Sequence, residues 1–289
     1  MSTDATIKTI AVIGAGQMGG GIAQVAAVKG FETLVYDAFP KSLDRAKATH
    51  AKRLAREVEK ERMTQADVDA ALARITYASN LDDLAGADIA IEAATENFDI
   101  KSDLFKKLAS MLAGDQILAT NTSSISITRI AAETDDAAPR VIGMHFFNPV
   151  PVMKLVEVIN GIATDPAVTQ RTIALAEALG KTPLAANDRA GFVSNRVLMP
   201  MINEAFYAWM EGVAEPEAID GIMKLGCNFP MGPLRLADFI GLDTCVNIMD
   251  VLAEGLNSDR YRACPLLKQL VTAGRLGDKT GQGVFDYTK

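Results

Sequence analysis

A glycine-rich turn near the amino terminus constrains the fold of this chain more than any other feature. The β-branched run at 8–13 (KTIAVI) predicts a strand, the turn at 14–19 reads GAGQMG, and the small residues at 22–29 predict a helix. A G-x-G-x-x-G turn that follows a strand and opens a helix is typical of dinucleotide-binding folds. The alternative is a plain strand-to-helix turn. We predict a dinucleotide site at this turn.

Each glycine of the turn has a separate physical role. Gly14 permits the tight turn, Gly16 lets the backbone approach a pyrophosphate, and Gly19 lets the helix pack closely against the strand. The amino-terminal N–H groups and the dipole of the helix then face the phosphates. The residues of the turn expected to bind the cofactor are Gly14, Gly16, Gln17, Met18 and Gly19.

An acidic residue at the end of the second predicted strand indicates which dinucleotide binds. Asp37 follows the apolar run at 31–36 and lies 18 residues after Gly19. Its carboxylate would accept hydrogen bonds from both hydroxyls of the adenosine ribose and would repel a 2′-phosphate. The next residues (38–40, AFP) include no arginine, although Lys41 leaves the choice open. We predict NAD rather than NADP.

Strands and helices alternate along the first two thirds of the chain. Further strands are expected at 87–93, 116–120, 140–147 and 154–159. After about residue 187 only helices are expected, at 192–211, 215–226, 234–256 and 264–274. We predict an α/β fold, with a Rossmann-like, doubly wound, mostly parallel sheet over 1–187 and an all-helical domain over 188–289. A helical hairpin is expected at about 41–74, with Thr64 and Asp67 forming a capping box.

Charge and composition exclude several classes of protein. The chain has 29 basic and 36 acidic residues, and a net charge of −7 is the wrong sign for a nucleic-acid surface. No apolar run is long enough to span a bilayer, and residues 1–9 lack the apolar segment of a signal peptide. The three cysteines, at 227, 245 and 264, are expected to be buried reduced thiols rather than metal ligands. We therefore expect a cytoplasmic protein without a metal site.

Of the two histidines, only one is expected to act in catalysis. His50 lies in a charged helical stretch, which predicts a solvated surface residue. His145 alternates with apolar residues in a strand, and a hairpin centred on Pro151 would place it opposite Glu157. A carboxylate would fix the imidazole in one tautomer and stabilise its charged form, as a general base requires. A structural His–Glu pair inside a core is the alternative.

The motif around His145 resembles the short-chain L-3-hydroxyacyl-CoA dehydrogenases, and among them the bacterial 3-hydroxybutyryl-CoA dehydrogenases. The resemblance covers essentially the whole chain. Its motifs, in order, are 14–19 (GAGQMG), 92–97 (EAATEN), 121–124 (NTSS), 145–157 (HFFNPVPVMKLVE), 191–196 (GFVSNR), 229–233 (FPMGP), 241–243 (GLD) and 279–283 (KTGQG).

The resemblance implies a role for individual residues. His145 matches the catalytic base and Glu157 its partner, while Asn195 and Ser123 match the groups that bind the reacting oxygen of the substrate. One extra residue between the NTSS motif and His145 leaves Ser124 as an alternative to Ser123. Residues that match the wall of the cofactor's nicotinamide half are Glu96, Lys101, Ser123, Asn148 and Lys279, and Asn121 is a further residue expected to bind the cofactor. From the residues alone, Glu96 and Lys101 could equally form a surface pair.

A basic segment follows the second strand. Residues 41–62 contain eight Lys or Arg against four Asp or Glu, a local charge of +4 (8 − 4) in an acidic chain. A solvated helix face is the simplest interpretation. In the resembled family this hairpin meets the phosphates of coenzyme A, and Lys60 matches a family lysine there. Arg53 stands where a serine is expected, which leaves the pattern of contacts open.

These features together predict an NAD-dependent (S)-3-hydroxyacyl-CoA dehydrogenase with a short-chain preference. His145 would take the 3-hydroxyl proton, and the reverse reaction would reduce acetoacetyl-CoA. The resemblance also implies a homodimer through the helical domain, for which residues 197–206 could supply an apolar surface. Two alternatives are a hydroxy-acid dehydrogenase that relies on a catalytic lysine and a dinucleotide-binding structural or sensor protein. The His145–Glu157 pair fits neither well.

Overall fold

The computed structural model describes residues 7–288, which divide into two compact units between Asp188 and Arg189. The strands of the first unit are β1 (Thr9–Ile13), β2 (Glu32–Tyr36), β3 (Ile75–Ala78), β4 (Ile89–Glu92), β5 (Ile117–Thr120), β6 (Val141–Phe146), β7 (Leu155–Asn160) and β8 (Thr182–Asn187). Its helices are α1 (Gln17–Val28), α2 (Pro40–Glu59), α3 (Gln65–Ala73), α4 (Phe98–Met111), α5 (Ile127–Ala131) and α6 (Pro166–Ala178).

The eight strands form one sheet in the order β3-β2-β1-β4-β5-β6-β7-β8. The six strands from β3 to β6 run parallel, β7 is antiparallel to β6, and β8 is parallel to β7. After β1 the chain adds β2 and β3 on one side of that strand, and it then returns to add β4 on the opposite side of β1. This switch point lies at the glycine turn, where doubly wound sheets bind their ligands. The predicted α/β fold with a doubly wound, mostly parallel sheet is confirmed.

The central strands are apolar on both faces because helices cover both sides of a parallel sheet. Ile10, Val12, Ile89 and Ile91 are fully buried in the main core of the first unit. The edge strand β8 has the opposite character, since most of its residues are exposed or partly exposed. It carries little hydrophobic signal, and for that reason β8 was not predicted. Strand β3 was not predicted either, and it is only four residues long.

The predicted hairpin consists of α2 and α3. The Thr64 hydroxyl accepts a hydrogen bond from the N–H of Asp67, and the Asp67 carboxylate accepts one from the N–H of Thr64. This reciprocal capping box sets the amino-terminal end of α3, as expected.

The second unit is helical among the residues described. Its helices are α7 (Ser194–Met210), α8 (Pro216–Cys227), α9 (Pro233–Ile240), α10 (Leu242–Gly255) and α11 (Pro265–Thr272). The single helix predicted over 234–256 is wrong, because Gly241 adopts a φ of 103° and separates α9 from α10. Within 7–288, no helix is long and apolar enough to cross a membrane.

The cysteine prediction holds at two positions of three. Cys245 and Cys264 are buried, whereas Cys227 is exposed at the end of α8. All three are thiols without a disulfide.

Candidate active site and cofactor cleft

The glycine turn has the geometry that a bound dinucleotide needs. A Cβ on Gly14, whose φ is 98°, would lie 2.6 Å from the carbonyl oxygen of Ala93, and one on Gly19 would lie 1.8 Å from the carbonyl oxygen of Gly14. Neither position can accept a side chain without moving backbone. A Cβ on Gly16 would instead meet open space. Gly14 and Gly19 therefore serve the turn and the helix packing, while Gly16 leaves room for a phosphate to approach.

Asp37 is linked directly to this turn. Its Oδ2 accepts a hydrogen bond from the N–H of Ala15 at 2.7 Å, and its Oδ1 accepts one from the N–H of Phe39 at 2.8 Å. The carboxylate is thus fixed just beyond β2 and is only partly buried. Each carboxylate oxygen can accept a further hydrogen bond, so both can still receive ribose hydroxyls. The residues present therefore fit the adenosine and pyrophosphate parts of NAD.

Three more predicted residues lie at the carboxyl ends of the strands. The Gln17 side-chain amide donates to Oδ1 of Asn148 at 2.9 Å, which joins the glycine turn to the loop after β6. The N–H of Phe146 donates to Oδ1 of Asn121 at 2.8 Å, which joins the residue after β5 to the end of β6. These bonds hold the polar side chains along one edge of the sheet.

Glu96 organises the turn that carries both candidate serines. Its Oε1 accepts hydrogen bonds from the hydroxyls of Thr122 and Ser124 and from the N–H groups of Ser123 and Ser124, at 2.5–3.2 Å. Burial works against ionisation of Glu96, but the Lys101 charge and these donors hold its pKa below the ordinary value. The carboxylate thereby keeps residues 122–124 in a fixed conformation.

Lys101 is not part of a surface pair, so that interpretation is wrong. The side chain is 1% exposed, and its Nζ lies 2.6 Å from Oε1 of Glu92 and 3.5 Å from Oε2 of Glu96. The helix α4 begins just before it, with Asn97 as a cap whose side chain accepts from the N–H of Ile100. This cap directs the first turn of α4, and with it Lys101, towards the ends of β4 and β5.

His145 and Glu157 form a pair, as the hairpin register predicted. They are directly opposite in the antiparallel β6–β7 ladder, and Nδ1 of His145 lies 2.7 Å from Oε2 of Glu157. Their side chains are only 10% and 5% exposed. Since an ionised carboxylate can only accept, Nδ1 carries the proton in this contact, and Nε2 is the nitrogen without a proton in the neutral form of the ring. The Phe147 ring packs against the imidazole, with centroids 4.6 Å apart.

Lys181 supports the turn beside the His145–Glu157 pair, and this role was not predicted from the sequence. It lies just before β8, and its Nζ donates to the carbonyl oxygens of Val150 and Met153 at 2.5 and 2.9 Å. Burial lowers the pKa of Lys181. Two bonds from one cation close the turn between β6 and β7, the turn on which the register of His145 against Glu157 depends.

The prediction of a solvated His50 is wrong. The side chain is fully buried, with Nε2 2.7 Å from the carbonyl oxygen of Gly20 and Nδ1 2.7 Å from the Tyr77 hydroxyl. Burial lowers the pKa of His50, and the nearby charge of Arg53 adds to this effect. The charged sequence around position 50 concealed one inward-facing stripe of α2, made up of Ala46, His50 and Leu54.

The basic hairpin borders a cavity of about 300 Å³ beside the glycine turn. Arg53 is half-buried and lines this cavity, whereas Lys60 is exposed at the carboxyl end of α2. A second arginine, Arg45, lines it too and was not singled out in the sequence. The complete lining is Ala15, Gly16, Gln17, Gly20, Ser42, Arg45, Ala46, Thr49, His50 and Arg53.

Two predicted residues belong to the second unit. Asn195 is buried in the first turn of α7. Lys279 donates to Oδ1 of Asp243, and this ion pair joins the KTGQG motif to the GLD motif. Nearby, the Asp238 carboxylate accepts hydrogen bonds from the N–H groups of Val284 and Phe285.

Comparison with known proteins places this geometry in a family. Residues 9–189 match the model of the 3-hydroxyacyl-CoA dehydrogenase NAD binding domain, and residues 191–287 match that of the 3-hydroxyacyl-CoA dehydrogenase C-terminal domain. NAD is accordingly the cofactor of the first unit.

Individual relatives agree with the domain matches. The chain is 55% identical to a probable 3-hydroxybutyryl-CoA dehydrogenase of Bacillus subtilis, covering 97% of this chain and 98% of the relative. It is 52% identical to a 3-hydroxybutyryl-CoA dehydrogenase of Bradyrhizobium diazoefficiens, covering 98% and 96%. The crystal structure of (S)-3-hydroxybutyryl-CoA dehydrogenase PaaH1 from Ralstonia eutropha superimposes with a TM-score of 0.95 at 49% identity, covering 98% of this chain and all of that one. The chain therefore belongs to the 3-hydroxyacyl-CoA dehydrogenase family.

Proposed function

We propose that this protein interconverts (S)-3-hydroxybutyryl-CoA and acetoacetyl-CoA, with NAD as cofactor and with a preference for short acyl chains. The buried His145–Glu157 pair carries the proposal. It offers an imidazole whose tautomer is set by a 2.7 Å contact, at the carboxyl edge of a sheet that binds a dinucleotide. The names of the relatives support the choice of substrate.

His145 acts as the general base in hydroxyacyl-CoA oxidation. Its Nε2 accepts the proton of the 3-hydroxyl group, and Nδ1 keeps its hydrogen bond to Glu157 as the imidazole becomes positively charged. The carboxylate stabilises that charge, since opposite charges at this separation attract each other more strongly in a buried site than in water. In the reverse direction the imidazolium returns the proton to the carbonyl oxygen of acetoacetyl-CoA.

The remaining site residues bind and orient the substrate and the cofactor. We assign Ser123 and Asn195 to the reacting oxygen, with Ser124 as the alternative to Ser123. Bound NAD supplies the acceptor for the hydride that leaves C3. Residues assigned to hold the cofactor are Gly14, Gly16, Gln17, Met18, Gly19, Asp37, Glu96, Lys101, Asn121, Ser123, Asn148 and Lys279.

The α2–α3 hairpin is assigned to coenzyme A. Arg53 lines the cavity beside the glycine turn, and Lys60 is exposed at the end of the same helix. Both cations can reach phosphates without a desolvation cost as large as that of a buried charge.

We assign residues 1–187 to NAD binding and 188–289 to substrate binding and dimerisation, and the protein to the cytoplasm. Within the stretch at 197–206, Met199, Ile202 and Phe206 pack into the core of the helical unit, whereas Val197 is exposed and could contribute to a dimer surface. Further exposed apolar side chains of this unit are Val213, Ile222, Leu225 and Phe239.

Turnover of defined thioesters tests the function. The purified protein should reduce NAD with (S)-3-hydroxybutyryl-CoA and oxidise NADH with acetoacetyl-CoA, both followed by the absorbance of NADH. The (R)-thioester and free 3-hydroxybutyrate serve as controls and should give little or no turnover. Binding of NADH without turnover of either thioester would favour a structural or sensor role.

A further inference from the structure

Glu92 is a fully buried carboxylate to which the proposed mechanism gives no role. It is the last residue of β4, and its exposure is 0%. Its Oε1 receives the N–H of Ala94 and the Nζ of Lys101, both at 2.6 Å, and its Oε2 receives the hydroxyl of Thr120 at 2.7 Å. Burying an unpaired charge costs a large amount of free energy, so buried charges in proteins are paired.

The hydrogen-bond donors around Glu92 and Glu96 favour the ionised form of both carboxylates. Glu92 accepts from a backbone N–H group and an ammonium, neither of which can accept in return. Glu96 accepts from two backbone N–H groups and two hydroxyls and lies 3.5 Å from the same ammonium. Two carboxylates thus share one cation, Lys101, and the cluster has a net charge of −1 (two negative, one positive).

The sheet topology places this cluster on one side of the glycine turn. β1, which carries the turn, lies between β2 and β4. Asp37, at the end of β2, marks the adenosine side, so the other half of a dinucleotide extends across the ends of β4 and β5. The cluster of Glu92, Glu96 and Lys101 lies at those ends, and the side chains of Glu92 and Lys101 are shielded from solvent.

We propose that Glu92 is a positioning residue that fixes Lys101 between two carboxylates and leaves one net negative charge beside the nicotinamide. This charge raises the affinity of the site for NAD relative to its affinity for NADH. The oxidised ring carries a positive charge and the reduced ring is neutral, so only the oxidised form gains from the negative charge. The inference rests on the assignment of Glu96 and Lys101 to the nicotinamide half of the cofactor.

Binding measurements on Glu92→Gln test the proposal without turnover. The variant keeps the shape of the side chain and removes the excess charge. Calorimetric titrations in the absence of acyl-CoA should show NAD binding weakened about five- to tenfold, with NADH binding changed by less than about twofold. The matched control is Thr120→Val, which removes the hydroxyl bond to the same carboxylate, and the bond from the N–H of Thr122, without changing the net charge. It should leave the ratio of the two dissociation constants unchanged.

A second variant covers the case in which Glu92→Gln does not fold. The Glu96 side chain is 40% exposed, so Glu96→Gln should be tolerated, and it removes the same unit of charge. The ratio of dissociation constants should shift in the same direction. An unchanged ratio in the folded variants, or an equal loss of NAD and NADH affinity, would overturn the inference. Failure of both cofactors to bind the native protein would instead refute the proposed function.

Discussion

Replacing Glu157 with Gln tests whether the carboxylate acts through His145. The substitution keeps the size of the side chain. Both side chains are almost fully buried, and Nδ1 of His145 lies 2.7 Å from Oε2 of Glu157. A charge-assisted hydrogen bond contributes about 1.5–3 kcal/mol, which corresponds to a rate factor of roughly 10 to 150. In addition, the glutamine amide can donate to Nδ1, which moves the imidazole proton to Nε2 and removes the base. Because loss of the correct tautomer costs about 10⁴ in serine proteases, we expect kcat to fall by about 10²–10⁴.

The assay is steady-state oxidation of NADH with acetoacetyl-CoA, together with the dissociation constant of NADH. Affinity for NADH should change little, because the change is confined to the β6–β7 pair. Glu157→Asp is the matched control, since it keeps the charge and should retain more activity than the glutamine variant. A Glu157→Gln enzyme with kcat within about threefold of the native value would refute the proposed coupling.

Three further predictions concern the cofactor, coenzyme A and stability. The native enzyme should prefer NADH to NADPH in kcat/KM, and Asp37→Ala should narrow that preference; equal use of NADPH by the native enzyme would contradict the role of Asp37. Neutralising Arg53 and Lys60 should raise the KM for acetoacetyl-CoA about tenfold or more, with a smaller effect on a pantetheine thioester that lacks the nucleotide phosphates; equal effects on both would indicate a solvated helix face. Burial lowers the pKa of His50 below its ordinary value of 6.5, so the stabilising contribution of the neutral ring is complete above pH 6.5 and decreases as the pH falls below that value. The free energy of unfolding should therefore decrease more between pH 7.5 and 5.5 in the native protein than in His50→Gln. Equal decreases in the two proteins would contradict this pH dependence.

Several structural features of the candidate site were predictable because their signals are local. The glycine turn and Asp37 lie on one strand–turn–helix–strand segment, and their spacing alone indicates the dinucleotide site. The position of His145 opposite Glu157 followed from counting residues about Pro151, because a hairpin fixes which residues face each other. The capping box at Thr64 and Asp67 is likewise a short-range pattern.

The residues that were missed or misread depend on contacts between distant segments. His50 lies in a charged helix, and only its packing against Gly20 and Tyr77 shows that it is buried. Nothing near Lys181 in the sequence indicates that it closes the turn at 150–153, some 30 residues away. Edge strand β8 lacks the apolar alternation of a half-buried strand, so its pairing with β7 could not be inferred from its residues.

The central claim is that His145 is the general base of an NAD-dependent 3-hydroxyacyl-CoA dehydrogenase. The most direct test compares native protein with His145→Ala in oxidation of NADH by acetoacetyl-CoA, with NADH affinity measured on the same samples. We expect the native protein to turn over and the variant to lose about 10²–10⁴ in kcat while binding NADH with nearly native affinity. A variant that binds NADH and retains more than about a tenth of the native rate would contradict the assignment.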